Sequence, residues 1–286
     1  MNRSDFRYAE RMRVRWVEVD LQKIVFNGHY LMYFDTAVAG WWRALALPYE
    51  SSVQALGGDF FVRKATVEYE GPARYDDLLD VGIRCERVGN TSMLLRAAVF
   101  REGRRLVTGE LVYVWADPAT HTPQPVPAAL RELFMAFEAG EPVLDLRTGG
   151  WDALGAEAQA IRRSVFIEEQ GIPADLELDD ADATAVHAVA CNRLGRAVAT
   201  GRLLAHAPGV AKIGRMAVIR PLRGGGAGAA VLQALVDAAR ARGDREVILH
   251  AQASAVGFYL KRGFRPQGDP FEEAGIPHQA MGISLG

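Results

Sequence analysis

Three groups of residues in this 286-residue chain have the types and spacing to do chemistry. The first is Asp20, a lone acid set before a short loop that feeds an apolar segment reaching Leu47. Two roles are open to an acid at a helix entrance: a cap or loop residue, or a reactive carboxylate beside amides that lack intrahelical partners. The second group is the run Arg220-Pro-Leu-Arg-Gly-Gly-Gly-Ala-Gly-Ala-Ala, which leads straight into the helical pattern Val231, Leu232, Leu235, Val236 and Ala239. A strand, a Gly-rich turn and a helix in succession cluster free backbone amides at a helix N-terminus, a ready anion site. A Walker A loop is excluded because no Gly-Lys-Ser/Thr follows. The dinucleotide fingerprint is excluded because the glycines come late and no βαβ unit opens the domain. The third group is Asp179, Asp180 and Asp182 with His187. These are metal-donor types, but an aspartate-rich loop before a strand more readily makes a turn and a surface for a cationic substrate, so no metal is expected.

Elements of two different kinds must position these groups. Phe34, Val38, Trp41 and Leu45 recur at helical spacing, and alanines fill most other faces, so the helix after Asp20 is expected to be buried nearly all round. Before it, Met12, Val14 and Trp16 alternate as a strand that delivers the chain to Asp20. After it come strand patterns at Phe61 to Tyr69, Leu79 to Cys85, Ser92 to Phe100 and Leu106 to Trp115, the last two joined by a tight hairpin at Glu102-Gly103. A sheet wrapped about one central helix, in the α+β class, follows from that order. A Pro-rich stretch from Pro118 leads to a helix with the stripe Leu130, Leu133, Phe134 and Phe137. Glu138 to Gly150 mixes Gly, Pro and charges without periodicity. The expected division is residues 1–140, a linker at 141–152, and a second domain at 153–286. In the second domain Ala156 to Gln170 reads as a helix, followed by strands at Ala185 to Cys191, Ala197 to Ala205 and Ala211 to Ile219.

Composition bounds the function. With 49% hydrophobic and 24% charged residues the chain is of ordinary globular type, and its length suits two cores. A net charge of -2 with no basic run gives no footprint for nucleic acid. Cys85 and Cys191 lie far apart in apolar runs, as buried thiols do in a reducing compartment. There is no signal-peptide pattern and no membrane-length apolar run, so a soluble, cytoplasmic protein is expected.

The run Asp20 to Tyr30, with a Tyr ten residues after the acid, resembles the signature of hotdog-fold acyl-CoA thioesterases of the 4-hydroxybenzoyl-CoA thioesterase/YbgC type. The turn Tyr69-Glu-Gly-Pro-Ala-Arg-Tyr-Asp-Asp77 is similar to that family's Tyr-x-x-Pro-x-x-Tyr-Asp-Asp. The resemblance covers roughly residues 10 to 137. It implies a sheet that wraps the helix and pairs with a second subunit's sheet, giving a dimer or tetramer. It also implies that Asp20 acts as nucleophile or as general base for water, with Asn27 and the amides of Gly28, His29 and Tyr30 polarising and positioning the thioester. Lys23 stands where many relatives have Gly, and Asn27 where the YbgC branch has His. A Lys beside Asp20 would pair with it and lower its pKa.

In the second half, Arg223, Gly226 and Gly228 match the Arg-x-x-Gly-x-Gly/Ala pyrophosphate motif of the GNAT N-acetyltransferases. Arg162 to Gln170 (RRSVFIEEQ), Asp179-Asp180-x-Asp182 and the tail Phe271 to Met281 resemble the ElaA-like branch. This resemblance, from about 155 to 285, implies a GNAT-type α/β fold. Acetyl-CoA would be held by the amides of Arg223, Gly224, Gly225, Gly226, Ala227 and Gly228 and by the strand backbone at Met216, Ala217 and Val218. Tyr259 lies where the family carries the acid for the leaving thiolate, although it also suits an aromatic cluster with Phe258 and Phe264. Glu168, Glu169 and His250 are candidates for the base, Glu168 being taken first; a solvated helix face explains the two glutamates equally. Phe271 to His278 is expected to line the acceptor pocket. The whole reads as a bifunctional enzyme, a thioesterase fused to an amine acetyltransferase, with acyl-CoA and acetyl-CoA as substrates. The alternative is that one domain has lost its chemistry and binds acyl-CoA or dimerises to control the other, and Lys23 keeps that alternative open.

Overall fold

The computed structural model describes residues 1–286, and the chain divides into two units, Met1–Val143 and Leu144–Gly286. In the first, β1 (Tyr8–Arg13) precedes α1 (His29–Ala44) and α2 (Tyr49–Leu56); β2 (Asp59–Tyr69), β3 (Leu78–Val88), β4 (Ser92–Arg101), β5 (Arg104–Ala116) and α3 (Ala128–Glu138) follow. All strand pairs are antiparallel, in the order β1-β3-β4-β5-β2. Helix α1 lies close on this sheet because one position of the sheet and one of the helix have no side chain. A Cβ at Gly109 of β5 would meet the Phe34 ring at 2.5 Å, and one at Gly40 of α1 would meet the Tyr8 hydroxyl of β1 at 1.8 Å. Phe34, Ala37, Trp41 and Leu45 are fully buried, and α3 closes the other side, with Phe134 5.0 Å from Trp41 and 5.6 Å from Trp42 between ring centroids. This is a hotdog fold. The hairpin between β4 and β5 turns at Glu102 and Gly103 with φ of 52° and 80°, the two positive values a type I′ turn requires.

One expected strand is displaced. Strand β1 ends at Arg13, and Trp16–Glu18 forms a 3-10 turn instead of continuing the alternation. The cause is Glu18, whose carboxylate accepts from the Arg15 amide and guanidinium, each at 2.7 Å, and closes the turn; Trp16 is left 75% exposed.

The second unit contains β6 (Leu144–Gly149), α4 (Trp151–Arg162), α5 (Ala174–Glu177), β7 (Val186–Asn192), β8 (Ala197–Ala207), β9 (Val210–Val218), α6 (Ala227–Arg242), β10 (Glu246–Gln252), α7 (Val256–Leu260), β11 (Arg265–Pro266), β12 (Phe271–Glu273) and β13 (Ile276–Ser284). The sheet order is β11-β13-β10-β9-β8-β7-β6, with β12 beside β13. Only β9 and β10 pair in parallel, from Val210↔Glu246 to Ile213↔Leu249. Beyond that point β9 continues along β8 and β10 along β13, so the two strands part. This is the GNAT fold.

Two sequence expectations change here. The segment taken as a linker at 141–152 contains β6, which pairs with β7, and the start of α4. Its order comes from a strand some forty residues away, so the local pattern carries no trace of it. The helix expected from Ala156 to Gln170 begins at Trp151 and changes to π pitch over Arg163–Glu169.

Replacing Trp41 by Ala removes the largest side chain between α1 and α3. We expect a loss of about 3–5 kcal/mol from the first unit, read by chemical denaturation; an unchanged midpoint would mean that α1 is not its core.

Candidate active sites

Where β9 and β10 part, a cleft of about 390 Å³ opens. Its walls include Met216, Ala217 and Val218 of β9, the turn from Arg223 to Gly228, and Phe258 and Tyr259 of α7. The turn is shaped by Gly224 and Gly226, with φ of 82° and 93°, a conformation that side chains resist. Gly228 lies against Val218, whose methyl would stand 3.1 Å from an added Cβ, so α6 starts close to the strand. Not every expected amide is free. Those of Arg223 and Gly225 donate to the carbonyls of Arg220 and Leu222 at 3.3 Å, which leaves Gly224 and the first helical turn from Gly226 to Ala229 to meet an anion. The Arg223 guanidinium is also spoken for: it grips the Glu169 carboxylate through two 2.7 Å bonds and donates to the Val218 carbonyl at 3.0 Å, so it braces the turn. Tyr259 is buried, and burial pushes its phenol up to about 12.

Glu168 is not brought to this cleft. Its side chain is 60% exposed and pairs with Arg163. The change to π pitch at Arg163 turns the last stretch, and Gln170 arrives at the cleft instead, accepting from Gln252 at 3.0 Å. His250 hydrogen-bonds Glu273 at 2.9 Å.

The aspartate-rich loop lies at the surface but turns Glu177 and Asp182 inward. Arg162, 1% exposed, donates to Glu177 and, at 2.8 Å, to Asp182. Arg202 binds the same Asp182 oxygen at 2.8 Å and also Asp179, while Arg215 reaches Asp179 and the carbonyls of Leu176 and Glu177. His187 meets the Asp182 carbonyl at 3.0 Å. The expected surface for a cationic substrate is therefore already filled by arginines of the chain itself. No group of three His, Cys, Asp or Glu side chains is arranged to hold a metal. Burial opposes the charge on Asp182, but Arg162 and Arg202 outweigh it and hold its carboxyl below the usual range.

In the first unit, Asp20 sits on a small hairpin in which Val19 bridges Val25. Its Oδ1 accepts from the amides of Gln22 at 2.8 Å and Ile24 at 3.5 Å, which leaves Oδ2 unengaged. Lys23 forms the hairpin bend at φ 61°, the left-handed conformation a Gly adopts easily; the acid's partners are backbone amides and not the lysine. At the start of α1 the amides of His29 and Tyr30 donate to Phe26 and Asn27 carbonyls, and Gly28 has no main-chain acceptor. The Tyr30 side chain is a core group: its hydroxyl accepts from the Ala73 amide at 3.1 Å and fixes the Gly71 to Asp77 turn to the helix. The Tyr69 hydroxyl donates to the Asn27 carbonyl at 3.1 Å. His29 Nδ1 lies 3.2 Å from the Met32 sulfur. A buried acid that the sequence reading passed over, Glu18, takes a 2.7 Å bond from Tyr33 and anchors the hairpin to α1. A cleft of about 540 Å³ in this unit is lined by Arg7, Arg84, Cys85 and Glu138 and holds none of the expected site residues.

The family model for the thioesterase superfamily matches residues 22–108, and that for the acetyltransferase (GNAT) domain matches residues 165–285. The chain joins a thioesterase-superfamily domain to a GNAT acetyltransferase domain. The second half is 36% identical over 126 residues to the uncharacterized N-acetyltransferase YjcF of Bacillus subtilis, covering 44% of this chain and 89% of that protein. The first half is 29% identical over 134 residues to the acyl-CoA thioester hydrolase YbgC of Escherichia coli O157:H7, covering 46% and 96%. Both families use acyl-CoA thioesters. No helix is long and apolar enough to cross a membrane.

The GNAT cleft also takes in Gln170, Gln252, Ser254 and Arg262, none of which is among the site residues expected from the sequence. Gln252 carries a local signal, the alternation of Val247, Leu249 and Ala251 that marks a strand ending there; Gln170 depends on the pitch change and had none.

The arginine network makes an acid-side prediction. The Asp182 carboxyl ionises more readily folded than unfolded, so its contribution is complete above about pH 4, the unfolded value, and is lost as pH falls further. Thermal melts of the second unit should drop steeply below that pH, and Arg162→Met, which leaves Asp182 to Arg202 alone and Glu177 to Arg215 alone, should cost about 3 kcal/mol at neutral pH. A variant as stable as the parent would show that the network carries little.

Proposed function

We propose that this chain carries two acyl-CoA-dependent activities: hydrolysis of an acyl-CoA thioester in the thioesterase domain, and transfer of an acetyl group from acetyl-CoA to an amine in the GNAT domain. The observation that carries the reading is the cleft between the parted strands, where free amides stand at one end and a protonated phenol at the other. The pyrophosphate would sit on the amides of Gly224 and Gly226 to Ala229, where the helix dipole favours its charge. The pantetheine arm would run along Met216 to Val218, whose edge is free of β10. Attack of the amine on the thioester expels a thiolate, and Tyr259, protonated at neutral pH, supplies its proton.

In the thioesterase domain the free Oδ2 of Asp20 is the reactive atom of the proposal, as nucleophile or as base for water. The Gly28 amide and Asn27 would meet the carbonyl oxygen. That site is open in one chain. Trp16 (75%), Leu21 (103%), Phe26 (52%) and Tyr69 (53%) are exposed around it, and β2 has a neighbour on one edge only. A second copy of the chain, paired along β2, would cover these groups and complete the site. Light scattering of the full chain should therefore give at least a dimer mass; a monomer would remove this part of the proposal. The left-handed bend at Lys23 keeps the loop geometry that a Gly would give, which favours two active domains over one inactive one.

Thiol release tests both activities separately. With an acyl-CoA panel and no amine, Asp20→Asn should abolish hydrolysis without moving the melting temperature. With acetyl-CoA and primary amines, Tyr259→Phe should lower kcat about 10²-fold at unchanged acetyl-CoA affinity. Parent-like rates in either variant overturn the corresponding assignment.

A further inference from the structure

The acetyl transfer needs a base for the amine proton, and removing Glu168 from the site leaves that role unfilled. The strand register identifies which side chains share the face the amine would approach. Arg202, paired with Gly214, reaches Asp182 together with Arg162 of α4, so Gly214 and Lys212 lie on the α4 side of the sheet. Lys212 is paired with Ile248, and the two-residue period of β10 carries that face on to His250 and Gln252. Gln252 lines the cleft, and His250 stands about 7 Å from it along the strand. It is also the first residue of β10 past the last pair with β9, at the mouth of the parting. Opposite it, Gly214 has no atom within 4 Å of where a side chain would begin, so there is room for a substrate.

His250 is built in and not loosely placed. Its Nδ1 is 2.9 Å from Glu273 Oε2, its ring packs against Phe271 at 4.9 Å, and Phe271 stacks on His278, whose Nδ1 is 2.7 Å from the Ile276 carbonyl. The groups facing it are therefore Glu273 from β12, His278 from β13 and Lys212 from β9. Burial opposes ionisation of Glu273, but the hydrogen bond from His250 and the positive potential of its neighbours, Lys212 among them, outweigh this, so it is held as a carboxylate. A carboxylate accepts only, so Nδ1 carries the hydrogen between them, and in the neutral imidazole Nε2 is then the nitrogen with the lone pair.

We infer that His250, oriented by Glu273, is the general base that takes the proton from the acceptor amine, directly or across one water. The inference rests on the acetyltransferase reading. The amine nitrogen bonds to the acetyl carbon, the carbon–sulfur bond breaks, the amine proton passes to His250 Nε2 and on to solvent, and Tyr259 protonates the departing sulfur. The products are the acetylated amine and free CoA. Glu273 is a positioning residue.

The test measures thiol release by the full chain from acetyl-CoA with a panel of alkyl, aryl, polyamine and aminoacyl primary amines. Acetyl-CoA affinity is measured beside it by calorimetry. His250→Gln should lower kcat/KM about 10²-fold or more and flatten the acid limb of the pH–rate profile, with acetyl-CoA affinity and melting temperature unchanged. Glu273→Gln should reduce kcat less and displace that limb along the pH axis, which a purely structural role would not do. His250→Gln with parent-like kcat and pH profile overturns the assignment alone, as does a loss of rate that merely follows a loss of acetyl-CoA affinity or of folding. A parent chain that binds acetyl-CoA yet releases no thiol with any amine overturns the acetyltransferase reading, and this assignment with it.

Discussion

Main-chain amides and carbonyls must find partners when a chain folds, and both candidate sites form where that demand is left unmet. In the GNAT domain β9 and β10 stop pairing after Ile213 and Leu249, and α6 begins with a run of amides that no carbonyl of the chain reaches. In the thioesterase domain the Gly28 amide at the start of α1 is in the same position. Elsewhere in the molecule side chains fill such gaps: Glu18 takes the Arg15 amide, Glu138 that of Cys85, and Asp117 those of Ala119 and Thr120. In the proposed function a CoA thioester would supply what these two places lack, acceptor oxygens on its phosphates and its carbonyl.

Keeping amides unpaired requires a rigid frame, since a mobile turn would fold back on itself. Arg215, at φ 53° where the pairing of β8 with β9 shifts register, is held by ions. Arg162, Arg202 and Arg215 share Glu177, Asp179 and Asp182, so three positive and three negative side chains stand together, with Arg162, Arg202, Glu177 and Asp182 buried and Arg215 and Asp179 partly open to water. Such a cluster adds little net stability compared with an apolar core, because desolvation offsets most of the attraction. It does fix direction. Each guanidinium has donors in a set geometry, and moving the loop from 177 to 182 would strand buried charge. The Arg223–Glu169 pair extends the same device to the glycine turn, tying it to the segment of π pitch that presents Gln170.

The hotdog domain reaches rigidity by packing. Gly40 and Gly109 let α1 approach the sheet closely, and Trp41 and Trp42 fill the space up to α3. Tyr30 and Tyr33, one turn apart, spend their hydroxyls on Ala73 and Glu18 and so join the helix start to the turn and the hairpin that flank Asp20.

Much of this was legible from residue order. The helical spacing of Phe34, Val38 and Trp41, the alternation from Leu79 to Cys85, the Glu-Gly hairpin and the glycine turn before α6 are local patterns, and a local pattern fixes local structure. The roles of Arg223, Tyr30 and the aspartates were not, because each depends on a partner distant in sequence: Glu169, Ala73, and the three arginines. The same holds for β6, which is a strand only because β7 lies beside it, and for Glu168, which a change of helical pitch carries away from the cleft. By itself the sequence determined the two folds and the glycine turn before α6, since periodicity and glycine placement act over a few residues. Tertiary structure alone decided which charged side chains are spent on one another and that His250, held by Glu273, stands near the cleft, since pairing is settled by proximity in space.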